Sequence, residues 1–377
     1  MANHAMAIDL TYDCLAENVY EVQLTFYLDC GSSIITEPPV APLLNVSSAS
    51  CGESSVLLLT PITENWGAEV SQLCTEVLEN GESNCENGTL AGVREYHYNG
   101  FATLPQACED WTFSYRLEDN ETRSETITNL VNPDFYSIYV EAKLNNTIGC
   151  NSSPTFNSLP VAYFCQQNST FTLGTTENDG DELVFSLVQP LDNVISPIPY
   201  FFGFSIEQPI AALNFSFDNT NGQINFLPTE TQRPVVAVLV EEYRNGEFVG
   251  SIIRDMQFVI LDCENQQVQA TLPNSSYFEV CQNETLTFSI DAFDYDDEDI
   301  ILFETNVSDL NGANFQQNTI LDAVEGVFSW TPTTNDVGEH IFELYITDNA
   351  CPISSHLYYT FQTVSYTHLT LPTIGEV

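Results

Sequence analysis

Positive charge is scarce in this sequence. Lys and Arg number 7 against 53 Asp and Glu, for a formal net charge of -46; the one lysine is Lys143, and no Lys or Arg follows Arg254. A surface of that sign repels nucleic-acid phosphate and anionic membrane and attracts cations. There is no apolar run of about 18 residues, so no transmembrane helix is expected. Histidine is rare: His4, His97, His340, His356 and His368 are the full set, and none stands in an HExxH spacing, which argues against a zinc site. No GxSxG nucleophile elbow and no CxxC pair occurs. The opening Met1–Ala7 has neither the basic nor the long apolar segment of an intact secretory signal. Amphipathic helical spacing is short wherever it arises and is broken by Asn, Gly or Pro.

What is abundant points to strands. Phe (24) and Tyr (17) favour sheet, and frequent Asn, Ser, Thr, Gly and Pro supply turns. In Asn18–Leu28, Tyr20, Val22, Leu24, Phe26 and Leu28 alternate with Val19, Glu21, Gln23, Thr25 and Tyr27, the period of a half-buried strand. Ser55–Thr60, Trp111–Leu117, Ser137–Leu144, Val235–Tyr243 and His340–Asp348 read as further strands. Trp111 and Trp330 are expected in the core, and Trp66, beside Asn65 and Gly67, at the surface. At 377 residues two or three domains are expected.

Two stretches repeat one order of features. VAYFCQQNSTFTL (161–173) and YFEVCQNETLTFSI (277–290) each lead to an acidic turn, then a strand, then a G-x-[IF]-x-[FW]-x-P segment at Gly222–Pro228 and Gly326–Pro332, then a long strand. A repeat of about 100–115 residues has the size of a sandwich domain. The expected architecture is all-β, as tandem Ig-like or cadherin-like β-sandwiches: 1–153, 154–263 and 264–363, with Asn151–Pro154 punctuating the first boundary.

Eleven cysteines without metal spacing read as disulfides formed in an oxidising compartment, with one cysteine left over. Connectivity is open from sequence. The candidates considered are Cys14 with Cys30, Cys74 with Cys85, Cys150 with Cys165, and Cys281 with Cys351. Ten Asn-x-Ser/Thr sequons, among them Asn45, Asn168 and Asn283, follow from composition in a bacterial chain and would mark glycans in a eukaryotic ectodomain.

Asp291–Asp299 holds six carboxylates in nine residues. Ca²⁺ takes six to eight oxygens, which closely spaced loop acids supply; the alternative is a solvated acidic turn. Glu177, Asp179 and Asp181, with Glu241, form a weaker version in the first repeat.

The pattern at Ala292–Asp299 and Gly326–Asp348 resembles the dystroglycan-type cadherin-like modules of bacterial surface proteins. That resemblance implies that Asp294, Asp296 and Asp348 converge at one end of a sandwich, with Asp297 and Asp299 beside them, as a Ca²⁺ site. Ile8–Cys30, Cys108–Leu117 and Val240–Gln257 resemble large secreted Bacteroidota proteins labelled gliding-motility-associated, in which a C-terminal sorting domain commonly follows. The resemblance implies an exported, cell-surface location, with other surface proteins or glycans as partners. Val364–Thr373, VSYTHLTLPT, resembles a translated sequencing adapter, so 364–377 is left out of the fold reasoning and expected to be disordered. The resulting reading is a non-enzymatic adhesin or scaffold segment with Ca²⁺ as its one cofactor; the alternative is a carbohydrate-binding accessory region of a larger secreted polysaccharide-degrading enzyme.

Overall fold

The computed structural model describes residues 5–31, 38–117, 122–296, 301–320 and 323–367. Among them the fold is all-β: strands dominate, and the one α-helix, Thr75–Glu79, has five residues. The alternation in the first segment is realised as read. Val19–Asp29 is a strand, and its Tyr20, Val22, Leu24 and Phe26 are buried. Its neighbour Ala5–Ala16 pairs with it antiparallel from Ala5↔Leu28 to Ala16↔Val19. Trp111 and Trp330 are buried and donate their indole N–H to Gln106 O (3.2 Å) and Asn311 O (3.0 Å). Trp66 is partly buried, packed edge-on against Tyr96 and Tyr98.

The chain divides into two compact units. One runs to Asn265 and takes back Cys351–Ser354; the other comprises Gln266–Ala350 and the segment from Ser355 onward. The expected boundary at 153 therefore does not separate two domains. The reason lies in the 15-residue strand Glu247–Leu261, which pairs antiparallel with Val235–Arg244 and Tyr139–Leu144, parallel with Val161–Cys165, and meets Ala5–Ala16 at Ile8↔Asp255. One sheet of 13 strands thus draws on both segments that the sequence seemed to part. The Asn151–Pro154 punctuation is not a linker: Asn151 and Ser153 are buried, and Ser153 exchanges hydrogen bonds with the Tyr12 backbone.

The second unit is a sandwich of two four-stranded sheets. Phe288, Phe328, Phe342 and Phe361 meet between them in ring contacts. Its last strand, His356–Tyr366, pairs with Tyr277–Cys281 and Gly338–Thr347. Val364–Tyr366 is thus ordered strand rather than disordered tail, because it continues the ladders with Glu279–Cys281 on one side and, through Val364 and Ser365, with Gly338 and Glu339 on the other; 368–377 lie outside the described residues.

Ten cysteines pair as Cys14–Cys150, Cys30–Cys85, Cys51–Cys108, Cys74–Cys351 and Cys165–Cys263, leaving Cys281 as a thiol. None of the four pairings weighed from sequence forms. Cys14 and Cys30 sit at opposite ends of the first hairpin, since Cys14 faces Tyr20 while Leu28 faces Ala5. Cys85 is drawn to Cys30, whose N–H bonds Gly92 O. Cys74 and Cys165 find partners far along the chain, and Cys351 returns to the first unit, away from Cys281.

All seven basic residues lie in the first unit, each within 4.0 Å of a carboxylate oxygen. Arg123 and Asp255 are fully buried and joined by two bonds, Nη1–Oδ1 at 2.9 Å and Nη2–Oδ2 at 2.5 Å. Removing one partner of such a pair strands a buried charge. Arg123→Met is expected to lower unfolding free energy by about 3–5 kcal/mol in urea denaturation, and Arg123→Met with Asp255→Leu to recover most of that loss. Non-reducing peptide mapping is expected to yield a Cys74–Cys351 peptide and to label one thiol, at Cys281.

Candidate acidic cation site

The turn at 177–181 projects carboxylates toward the end of a hairpin. Gly180, at φ 79°, allows the tight reversal between Thr175–Thr176 and Glu182–Val188. Glu177 folds back on the turn: its two oxygens accept the N–H groups of Asp179 (2.8 Å) and Asp181 (2.7 Å). Opposite, Val235–Arg244 turns through Asn245–Gly246, both at positive φ, into Glu247–Leu261. The irregularity in this ladder between Glu242 and Tyr243 sits where the acids gather.

Glu177, Asp181 and Glu242 each bring an oxygen to within 4.8 Å of the others. Asp181 is held by Arg244 through Nε (2.8 Å) and Nη2 (2.7 Å), and the same guanidinium reaches Cys150 O and Asn151 Oδ1. Asp179 accepts the Ser152 N–H at 2.6 Å. Glu242 is the unusual member. It is 0% exposed, its Oε2 accepts a 3.3 Å bond from Asn151, and its Oε1 is buried with no partner. Gly250 makes room for it: a Cβ there would lie 2.4 Å from Glu242 Oε2 and 2.7 Å from the Tyr12 hydroxyl.

Burial, and after it the Glu177 carboxylate, pushes Glu242 up to about 9. Burial also raises Glu177. Arg244 is raised, first by its bonds to Asp181. Oxygen donors alone, three of them carboxylates, with a desolvated lone pair on Glu242 Oε1, suit a hard divalent cation and give a soft one nothing to bind. The triad can hold a metal ion.

Sequence reasoning placed Glu177, Asp179 and Asp181 here but named Glu241 in place of Glu242. The signal that separates them is Gly250, which pairs with Glu242 and has no side chain to fill the space its carboxylate takes. In the second unit the acids hold backbone. Asp294 Oδ1 accepts Asp296 N–H (2.9 Å), Asp296 accepts Gln266 N–H (2.6 Å) and its side-chain amide, and buried Asp348 accepts the N–H groups of Ala350 and Ser355, both at 3.0 Å. Asp297 and Asp299 lie outside the described residues. Among the described residues, Glu177, Asp181 and Glu242 are the acidic group whose oxygens converge in this way.

No family model matches the chain, and no curated protein matches it. Among solved structures it is similar to the Ig1–Ig2 segment of Dpr2 in complex with DIP-Theta, at TM-score 0.25 and 7% identity over 57% of this chain and 100% of that one. It is also similar to a titin Ig tandem, A164–A165, at 0.20 and 7% over 57% and 97%. The protocadherin GammaB4 extracellular domain aligns at 0.21 and 12% over 94% of this chain and 54% of that one. Such scores carry no argument about function, and the all-β assignment rests on the strand ladders themselves.

The raised Glu242 has a consequence for stability. An unfolded Glu titrates near ~4.3. Between roughly pH 4 and 9 the folded, metal-free chain therefore keeps a proton that the unfolded chain has released, so stability falls as pH rises through that window, by up to about 1.4 kcal/mol per pH unit. In chelator, Glu242→Gln is expected to melt above the wild type at pH 8 and close to it at pH 4, as followed by circular dichroism.

Proposed function

We propose that this chain is a non-enzymatic segment of an exported surface protein, built from Ig-like and cadherin-like sandwiches, that serves adhesion or spacing and is stiffened by Ca²⁺ at Glu177, Asp181 and Glu242. The observation that carries this reading is the burial of Glu242. A general acid or nucleophile must touch its substrate, and a carboxyl with 0% exposure reaches only what enters the protein with it, such as a dehydrated ion. Five disulfides support an oxidising compartment. The similarity of Ile8–Cys30 and Val240–Gln257 to secreted Bacteroidota proteins supports a cell-surface location.

The cation's work on this reading is mechanical. Asp179, Asn151 and Arg244 already tie the 150–152 crossing to the acidic turn and the hairpin. A bound Ca²⁺ neutralises the acids that repel one another there and ties the turn to the hairpin strand from within.

At 100 times its dissociation constant, Ca²⁺ is expected to add about 2.7 kcal/mol to unfolding stability in the wild type, seen as a rise in Tm over the chelated protein, and to add nothing to Glu242→Gln. Beads coated with the chain are expected to attach to cells or to one another more firmly in Ca²⁺ than in chelator. Equal melting in Ca²⁺ and chelator sinks the cation reading, and inert beads sink adhesion.

A further inference from the structure

We infer that Arg244 sets the affinity of the acidic site, as a resident positive charge with which a divalent cation competes for Asp181. The inference rests on the reading that Glu177, Asp181 and Glu242 hold a cation, and it names what governs uptake there. The triad has six carboxylate oxygens, and five of them accept hydrogen bonds. Glu177 Oε1 and Oε2 accept the N–H groups of Asp179 and Asp181. Asp181 Oδ1 and Oδ2 accept Nε and Nη2 of Arg244 at 2.8 and 2.7 Å. Glu242 Oε2 accepts the Asn151 amide at 3.3 Å, and its buried Oε1 accepts nothing among the described residues.

These contacts differ in kind. A backbone or amide N–H is a dipole and leaves a carboxylate its charge. The Arg244 fork brings a full opposite charge to Asp181. It is also fixed where it stands. Nη1 donates to Cys150 O at 3.0 Å and Nη2 to Asn151 Oδ1 at 2.8 Å, so four oxygens hold one guanidinium. Cys150 is in turn tied to Cys14 by a disulfide. The charge therefore stays beside the site whether or not an ion enters.

That proximity has a definite effect on affinity. Ca²⁺ sits about 2.4 Å from a ligand oxygen, and Asp181 Oδ2 is 2.7 Å from Arg244 Nη2. An ion on that carboxylate thus lies within about 5 Å of the guanidinium nitrogen. At such a separation a unit charge weakens the binding of a divalent ion by more than about tenfold even in the dielectric of water, and a desolvated site screens less. Arg244 accordingly places the site among weak Ca²⁺ sites, at ~10⁻⁴–10⁻³ M, the range of extracellular modules.

The test is calorimetric titration of the full chain with Ca²⁺, as wild type, Arg244→Gln and Arg244→Lys. Each is read against the same protein carrying Glu242→Gln, so that uptake by the many other acids is subtracted. Arg244→Gln is expected to bind at least tenfold more tightly than the wild type. Arg244→Lys keeps the charge and loses the fork, and is expected to bind within about threefold of the wild type. Melting gives a second readout. In chelator Arg244→Gln is expected to melt below the wild type, and on Ca²⁺ addition to gain more in Tm than the wild type does; a purely structural arginine predicts an equal or smaller gain. No uptake above the Glu242→Gln background in any of the three proteins sinks the site itself, and this inference with it. Uptake by the wild type that Arg244→Gln leaves unchanged or weakens overturns this inference alone. So does a tenfold weakening in Arg244→Lys, which decides the point even where Arg244→Gln fails to fold.

Discussion

Arginine is the limiting resource of this fold. With 7 cations among 53 acids, each guanidinium spent inside the protein ties segments that the chain brings together from a distance. Arg254 holds Asp9 through two 3.1 Å bonds, caps Ser158 through its hydroxyl at 2.9 Å and its carbonyl, and lies 4.2 Å over the Phe156 ring. Arg123 crosses to Asp255, and Arg244 to Asp181, Cys150 and Asn151. Two of the three involve neighbouring residues on one strand, Arg254 and Asp255, whose side chains leave opposite faces of the sheet. That strand is the element shared by the early and late segments of the first unit. Its pairing partners and its ion pairs therefore hold the same elements together by independent means.

Alternation made most of the strands legible. Val19–Asp29, Trp111–Arg116 and Gly338–Thr347 fall where apolar residues recur with period two, Val235–Arg244 opens as a continuous apolar run of strand length, and burial follows the predicted face in Tyr20, Val22, Leu24 and Phe26. What stayed hidden was everything set by long-range partners. The Asn151–Pro154 stretch has the composition of a linker, yet its polar side chains satisfy buried backbone at Tyr12 and Cys14. Local composition cannot distinguish a polar residue facing water from one facing a buried N–H. Cysteine pairing failed for the same reason: the cysteines paired on sequence proximity, such as Cys74 and Cys85, answer to sheet register and to chain returns such as Cys351.

The candidate site was half legible. Glu177, Asp179 and Asp181 announce themselves as an acidic turn around Gly180. Glu242 does not, because Val235–Arg244 carries two adjacent acids and a strand sends neighbours to opposite faces. Glu242 is enclosed while Glu241 is partly exposed. The Gly250 opposite is the clue that could have chosen between them, since it clears space for a carboxylate that any Cβ would occupy.

Like acids do unlike work according to what their oxygens meet. Asp348 and Asp296 accept backbone N–H groups, which stabilises their charge and leaves them as local braces. Asp181 has a guanidinium. Glu242 has one weak amide contact and an orphan oxygen, so its charge is stabilised by nothing the chain supplies. A fully buried carboxyl in that position must keep its proton or take a cation, because an unpaired charge in a desolvated site costs far more than either. The proximity of Glu177 and Asp181 weighs on the same side: each added negative charge makes a bare Glu242 anion costlier and a divalent ion more welcome. The second unit lacks this choice of internal partner, for it has 17 acids and no Lys or Arg. Its carboxylates meet backbone N–H groups, neutral side-chain donors such as the Gln266 amide and the Thr333 hydroxyl, protons or ions from solution, so its electrostatics are set by the medium to a degree that those of the arginine-braced first unit are not.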